Sequence, residues 1–355
     1  MQDEIRSWLR QDDPAQLGRL WRQARDVRCA FVGRQVHLRG LIEISSYCER
    51  ACHYCGLRAA NVNLPRYRMT PEEILATACQ AHRRGYGTVV LQAGEDPQFD
   101  LDALRDVVQQ IKQQTPLAVT LSLGERSESE LIQLKRAGAD RYLLRFETSN
   151  DSLLRRIHPP RAGHTCSDRM QLLRLLQQIG YEVGGGFMIG IPGQTVEDLV
   201  RDIQRCVDLG LDMIGIGPYI AHPDTPLGRS AEAIRAETED QAPADALTTY
   251  KAIALCRLAC PRSNIPCTSA LATLDGSNGR QRGLQRGANV IMPNLTPSEY
   301  RHRYQIYPNK ASSTQTPAET DALVRQQVLA AGQEIAQGRG DSRNWLDRSV
   351  PMPLF

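Results

Sequence analysis

From residue 36 to residue 292 the sequence repeats one unit: a short apolar, β-branched run, a loop, then a stretch with apolar residues at helical spacing. This alternation constrains the fold more than any other feature, because strands separated by helices pair in parallel. The expected strands are Val36–Ile44, Thr88–Gln92, Ala118–Leu123, Arg141–Glu147, Glu182–Ile189, Met213–Gly217, Ile265–Ser269 and Asn289–Met292. Thr70-Pro71-Glu72-Glu73 supplies an N-cap, a proline and first-turn acids for the first intervening helix. Eight such units predict an α/β fold, a complete (β/α)8 TIM-type barrel over residues 37–310. Ile5, Trp8 and Leu9, then Leu17, Leu20, Trp21 and Ala24, flank Asp13-Pro14 at helical spacing and predict an N-terminal helical cap over 1–36. Residues 311–355 read as a C-terminal extension, a helix from about 318 to 338 and then a loose end.

The first expected strand runs into Cys48-Glu-Arg-Ala-Cys52-His-Tyr-Cys55. In such barrels chemistry sits at the C-terminal ends of the strands, which is where this loop falls. Three close thiolates suit soft metals, above all an iron–sulfur cluster. Three cysteines hold three irons of a cubane and leave the fourth open, which points to chemistry rather than storage. A structural zinc would want a fourth ligand, and His53, between two ligands, is awkwardly placed for it. Zinc and unligated thiols are the competing readings.

Charge is nearly balanced at +3, without the basic excess of a nucleic-acid or membrane-surface protein. The ten cysteines are scattered, which fits a reducing, cytoplasmic setting. Met1-Gln-Asp-Glu-Ile-Arg has no apolar h-region, so no signal peptide is expected. No run of eighteen apolar residues is present, so no membrane span is expected. Cys29, Cys79, Cys206, Cys256 and Cys260 read as small hydrophobes on helices. Cys166 is given no role, and Cys267 is a minor candidate for substrate contact.

The cysteine loop, with Tyr54 before its last cysteine and a strand before its first, resembles that of the radical S-adenosylmethionine (SAM) superfamily. The resemblance implies an enzyme with a [4Fe–4S] cluster on Cys48, Cys52 and Cys55. The open iron chelates SAM, and one electron cleaves it to methionine and a 5′-deoxyadenosyl radical. A closer resemblance, over about 38–310, is to the HydE family of [FeFe]-hydrogenase maturases. It is carried by Arg66-Tyr-Arg-Met-Thr-Pro-Glu-Glu73, Leu91-Gln-Ala-Gly-Glu-Asp-Pro97, Ala139-Asp-Arg-Tyr-Leu-Leu-Arg145, His222-Pro-Asp-Thr-Pro226 and Gly287-Ala-Asn-Val-Ile-Met-Pro-Asn294, among other blocks.

The resemblance implies SAM contacts from Tyr54, Gly94, Glu95, Ser122, Glu147, Arg169, Met188 and Ile191. Gly94 lets the backbone approach a ligand, and Glu95 pairs with an ammonium. Arg169 suits a carboxylate bidentately, although Glu147 and Arg169 could instead pair with each other. Gly184-Gly-Gly186 leaves side-chain space in the barrel, and Met188 alone reads as core. Substrate contacts are expected from Arg141, Thr268, Ser269 and Tyr304, as family positions that bind anionic groups or close the cavity. The two hydroxyls serve equally as backbone caps, Tyr300, Tyr304 and Tyr307 as an aromatic cluster, and His222 as a turn residue.

Two departures from the family pattern stand out. Some relatives carry a second cysteine trio after the barrel, but Lys310-Ala-Ser-Ser-Thr-Gln-Thr-Pro317 has none, so no second cluster is expected. Phe146 stands where the family pattern has His. By resemblance the substrate is a small organometallic or amino-acid-derived molecule, the partners are the maturases HydG and HydF, and a reducing electron donor is needed. A methylornithine synthase-like or biotin synthase-like activity and a non-enzymatic metal protein are the alternatives. Biotin synthase requires further cluster ligands on barrel strands, which are missing here.

Overall fold

The computed structural model describes residues 1–160, 168–311 and 313–349; Cys166 lies outside them. The strands are β1 (Gln35–Ser45), β2 (Thr88–Ala93), β3 (Ala118–Ser122), β4 (Arg141–Leu143), β5 (Glu182–Ile189), β6 (Met213–Pro218), β7 (Pro266–Cys267) and β8 (Val290–Ile291). Each pairs in parallel with its sequence neighbours, and β8 closes onto β1. The result is the expected eight-stranded barrel. Helices cover its outside, so the strands are buried on both faces; every residue of β5 is buried.

The helices begin where short polar side chains can satisfy free backbone N–H groups. Thr70 with Glu73, Ser127 with Glu130, and Thr195 with Asp198 form reciprocal capping boxes. Each contributes about 1 kcal/mol. Asp13 caps the helix Pro14–Val32. That helix and Gln2–Arg10 pack against the helices Ala246–Ala259 and Val196–Asp208, so they flank the barrel. The buried Lys251 ammonium fixes them, donating to the Leu9 carbonyl at 3.0 Å and pairing with Asp12 at 2.9 Å.

Among the helices that escape the periodicity are Asp151–Ile157, Pro226–Glu237 and Ser269–Leu274. The first and last are too short to show a face. The expected seventh strand stops early because Thr268 caps the last of them, its Oγ1 accepting from the Leu271 amide.

The C-terminal segment is not a loose end. The helix Pro317–Ala330 stops well before 338, and β9 (Glu334–Ile335) pairs in parallel with the start of β1. Residues 339–342 then close the barrel at the N-terminal end of its strands. Arg141, the first residue of β4, points into this seal and not into the cavity. Its guanidinium pairs with Glu182 at 2.5 Å and Asp341 at 2.6 Å, and donates to Thr88 Oγ1 and the Arg339 carbonyl. Arg39 and Asn264 donate to the Gly340 carbonyl, and the Ser342 amide donates to Glu182. Among the described residues no helix is long and apolar enough to cross a membrane.

Candidate active site

A cavity of about 340 Å³ occupies the barrel, with Cys48, Cys52 and Cys55 on its wall. The loop that carries them has little regular structure and is held by its surroundings. The Glu49 amide donates to the Glu95 carbonyl, His53 to Ile157, and Gly56 to Ile306, at 2.8–3.0 Å. Arg66 binds four carbonyls at once: Ser46 and Leu57 through Nη1, Arg58 and Asn61 through Nη2. One guanidinium thereby folds the loop around itself. The spacing of the cysteines carried no sign of this role.

Gly94 is required by close approach. A Cβ there would lie 2.3 Å from the Tyr47 carbonyl oxygen and 2.6 Å from Cys48 Cβ. Gly94→Ala is therefore expected to displace the first cysteine. Iron and sulfide bound after anaerobic reconstitution should drop severalfold while the far-ultraviolet circular dichroism stays unchanged. Native iron content in this variant would refute the close-approach account.

Burial raises all three thiols, Cys52 to about 12. A soft metal that displaces their protons is the partner such buried sulfurs accept. His53 is not on the cavity wall. His158 is: its Nδ1 lies 3.0 Å from Cys52 Sγ, and burial lowers it to about 4. Arg50 and Arg169 both reach His158 Nε2, at 2.6 and 2.7 Å. Arg169 also pairs with Glu125 at 2.9 Å and donates to the Arg145 carbonyl. Glu95, Glu125 and His158 bring ligand atoms within 4.8 Å of one another. Arg50 and Arg169 already face those carboxylates, so the trio lacks the uncompensated negative charge of a second metal site.

Glu147 is turned inward by the backbone. Past β4, the Phe146 and Glu147 amides both donate to the Gly186 carbonyl, and Glu147 takes φ 65°. A non-glycine residue held there is strained, and such strain concentrates at functional sites. Tyr54 donates to Glu147 Oε1 at 3.4 Å, and Arg145 lies 3.5 Å from Oε2. Glu147 thus pairs with Arg145, not with Arg169. Phe146 is buried away from the cavity, stacked on Phe187 at 6.0 Å.

The structure brings together Tyr54, Gly94, Glu95, Ser122, Glu147, Arg169, Met188, Thr268 and Ser269 around the thiols. Arg141, Ile191 and Tyr304 are not on the wall. Ile191 packs behind Met188 with Tyr219 and Leu227. Tyr304 is buried, its hydroxyl accepting from Gln92. Gly184–Gly186 do not leave ligand space either: Leu143 and Met213 fill the room beside Gly184, and Gly186 abuts the Gly215 backbone. Sequence reasoning missed Arg39, Thr120, Arg145, Tyr219 and Lys310, all on the wall. Arg39 Nε, Thr120 Oγ1 and Tyr219 Oη are buried there without a hydrogen-bond partner among the described residues. Buried polar atoms left unpaired are costly, so this wall is built for a polar ligand.

A closed parallel barrel with three thiols at the end of β1, over a largely apolar chamber that carries a few buried charged side chains, is the arrangement of a radical SAM enzyme. Residues 42–206 match the family model of the Radical SAM superfamily. The [FeFe] hydrogenase maturase subunit HydE of Thermotoga maritima is 47% identical over 82% of this chain and 79% of its own. The chain belongs to the HydE family of radical SAM enzymes, whose cofactors are a [4Fe–4S] cluster and SAM. The 3-methylornithine synthase of Methanosarcina acetivorans is 27% identical over 84% of this chain and 80% of its own. The crystal structure of a methylornithine synthase superposes with a TM-score of 0.78 at 25% identity, covering 95% of this chain and 94% of that one.

Proposed function

We propose that this protein acts in assembling the diiron subcluster of [FeFe]-hydrogenase, on a small anionic substrate held beneath the cluster loop. The likeness to the T. maritima maturase carries the reading, because it exceeds the likeness to methylornithine synthase by twenty percentage points over a similar span (47 − 27). When bound, the reduced cluster supplies one electron that splits SAM into methionine and the 5′-deoxyadenosyl radical. Cys48, Cys52 and Cys55 would hold the cluster; Glu95, Glu147 and Arg169 would orient SAM through its ammonium, ribose and carboxylate. Arg39 and Arg145 line the same chamber, and their charge suits carboxylate or cyanide groups. The substrate we favour is the cysteine-bound iron carbonyl–cyanide complex made by HydG. This chain's part would be to hold that substrate against the radical under exclusion of solvent, and HydF would receive the product.

One cluster per chain is proposed. Residues 310–317 contain no cysteine, and no further cysteine lines the cavity among the described residues. The reconstituted protein should carry about four irons on its three wall thiols. It should form 5′-deoxyadenosine and restore activity to an apo-hydrogenase mixture holding HydG and HydF. Eight irons per chain would overturn the single-cluster assignment. Rearrangement of added lysine, with no rescue of the hydrogenase, would replace this function by that of methylornithine synthase.

A further inference from the structure

Residues 302–311 form a roof over the chamber that belongs to none of its eight strand–helix units. Ile306, Tyr307, Lys310 and Ala311 face the cavity. Buried Tyr304, its hydroxyl bonded to Gln92, seats the start of the roof, and three contacts hold its edges. Gly56, next to Cys55, donates its amide to the Ile306 carbonyl at 3.0 Å. The Tyr307 and Ser269 hydroxyls lie 2.8 Å apart, and the Ala311 amide donates to Thr273 Oγ1 at 2.8 Å. A different contact holds its centre. Lys310 Nζ meets Glu43 Oε1 at 2.5 Å and donates to the Tyr304 carbonyl at 3.1 Å. Glu43 lies on β1, five residues before Cys48, and its other oxygen accepts from Asn294. The side chains of Lys310 and Glu43 are 6% and 1% exposed. Asn309, at φ 53°, makes the left-handed turn that precedes Lys310.

We propose that the Glu43–Lys310 ion pair is the latch of this roof, and that Lys310 is a positioning residue that keeps the chamber shut while the radical exists. The proposal rests on the radical SAM reading given above. The edge contacts are single neutral hydrogen bonds, each weak in net terms. A buried ion pair behaves differently: together the two charges satisfy each other, but either alone in a dry site demands water. The roof therefore has two states, shut with the pair intact or open with both charges hydrated. Substrate enters in the open state, and the shut state excludes solvent from a species that would react with it.

Two variants of the cluster-loaded protein, with SAM bound, test this: Lys310→Met and the double variant Glu43→Gln/Lys310→Met. Amide hydrogen exchange is read at residues 304–311 and Gly56, alongside the rate at which a chelator extracts iron. In Lys310→Met both rates should rise on the order of a hundredfold while β5 stays protected. The double variant strands no charge, so its melting temperature should recover, while its roof, left without the pair and held by the neutral contacts alone, should exchange faster than the natural one. If Lys310→Met does not fold, the double variant alone decides. A roof as protected as the natural one in the double variant would overturn the latch and make the pair a structural contact. Failure of the natural protein to mature a hydrogenase, with these exchange changes present in the variants, would count against the proposed substrate and leave the latch standing.

Discussion

Replacing Cys52 by alanine is expected to abolish 5′-deoxyadenosine formation. Loss of a residue that merely orients a metal ligand lowers metal affinity about 10–100-fold, and loss of a ligand lowers it further. The two remaining thiols, Cys48 and Cys55, have no substitute nearby, because His158 is engaged by Arg50 and Arg169. Iron content should fall with activity, and the cluster's visible absorbance should be absent after anaerobic reconstitution. Cys79→Ser is the control: that thiol lies on the helix Pro71–Arg83, away from the cavity, and its variant should load and cleave normally. A Cys52→Ala protein that still cleaves SAM would remove the cluster from this loop.

The second large effect is at the opposite end of the barrel. Arg141→Met is expected to destabilise the protein by about 3–5 kcal/mol, because it leaves Glu182 buried without its main partner. The melting temperature should fall by roughly 5–10 °C. Well below that temperature, the concentration of SAM giving half-maximal cleavage should be unchanged. A substrate-contacting residue would show the reverse, native stability with lost turnover. The same seal has a predictable pH dependence. Burial would raise Asp341, but the Arg141 charge and the Arg339 hydrogen bond hold it below the usual carboxylate range. Asp140, bonded to the Val119 amide, Arg339 and Lys112, is lowered in the same way against its burial. A carboxylate lowered in the folded state stabilises it fully above the unfolded value and loses that contribution as pH falls through the folded one. Protection of residues 334–342 against hydrogen exchange, taken relative to the intrinsic exchange rate at each pH, should therefore fall below about pH 4; protection that rises in acid would contradict the assigned pairing.

Arg141 also shows where reading from sequence stopped. The strand–helix alternation and the cysteine spacing are local signals, so the barrel and its thiols were legible. An arginine at a strand start looks the same in sequence whether it points up into a cavity or down into a plug. The plug is made by residues 339–342, about 200 positions away, and no local pattern announces such a partner. Arg66 is a similar case, since its four carbonyl acceptors are set by the path of the folded loop. Glu147 was found by resemblance, but its inward turn depends on the backbone of β5. Lys310 went unnoticed because the sequence there was read for missing cysteines, and its ammonium only acquires meaning beside Glu43.

The floor formed by residues 339–342 has a kinetic consequence. A vessel closed at the base fills and empties as a stack, last in and first out. Arg39 and Thr120 lie towards the base and the thiols at the rim. Whatever rests on Arg39 must arrive before anything settles across the rim, and it cannot leave until the rim is clear. Such a chamber imposes an order on its reactants by shape alone, without any change in their affinities.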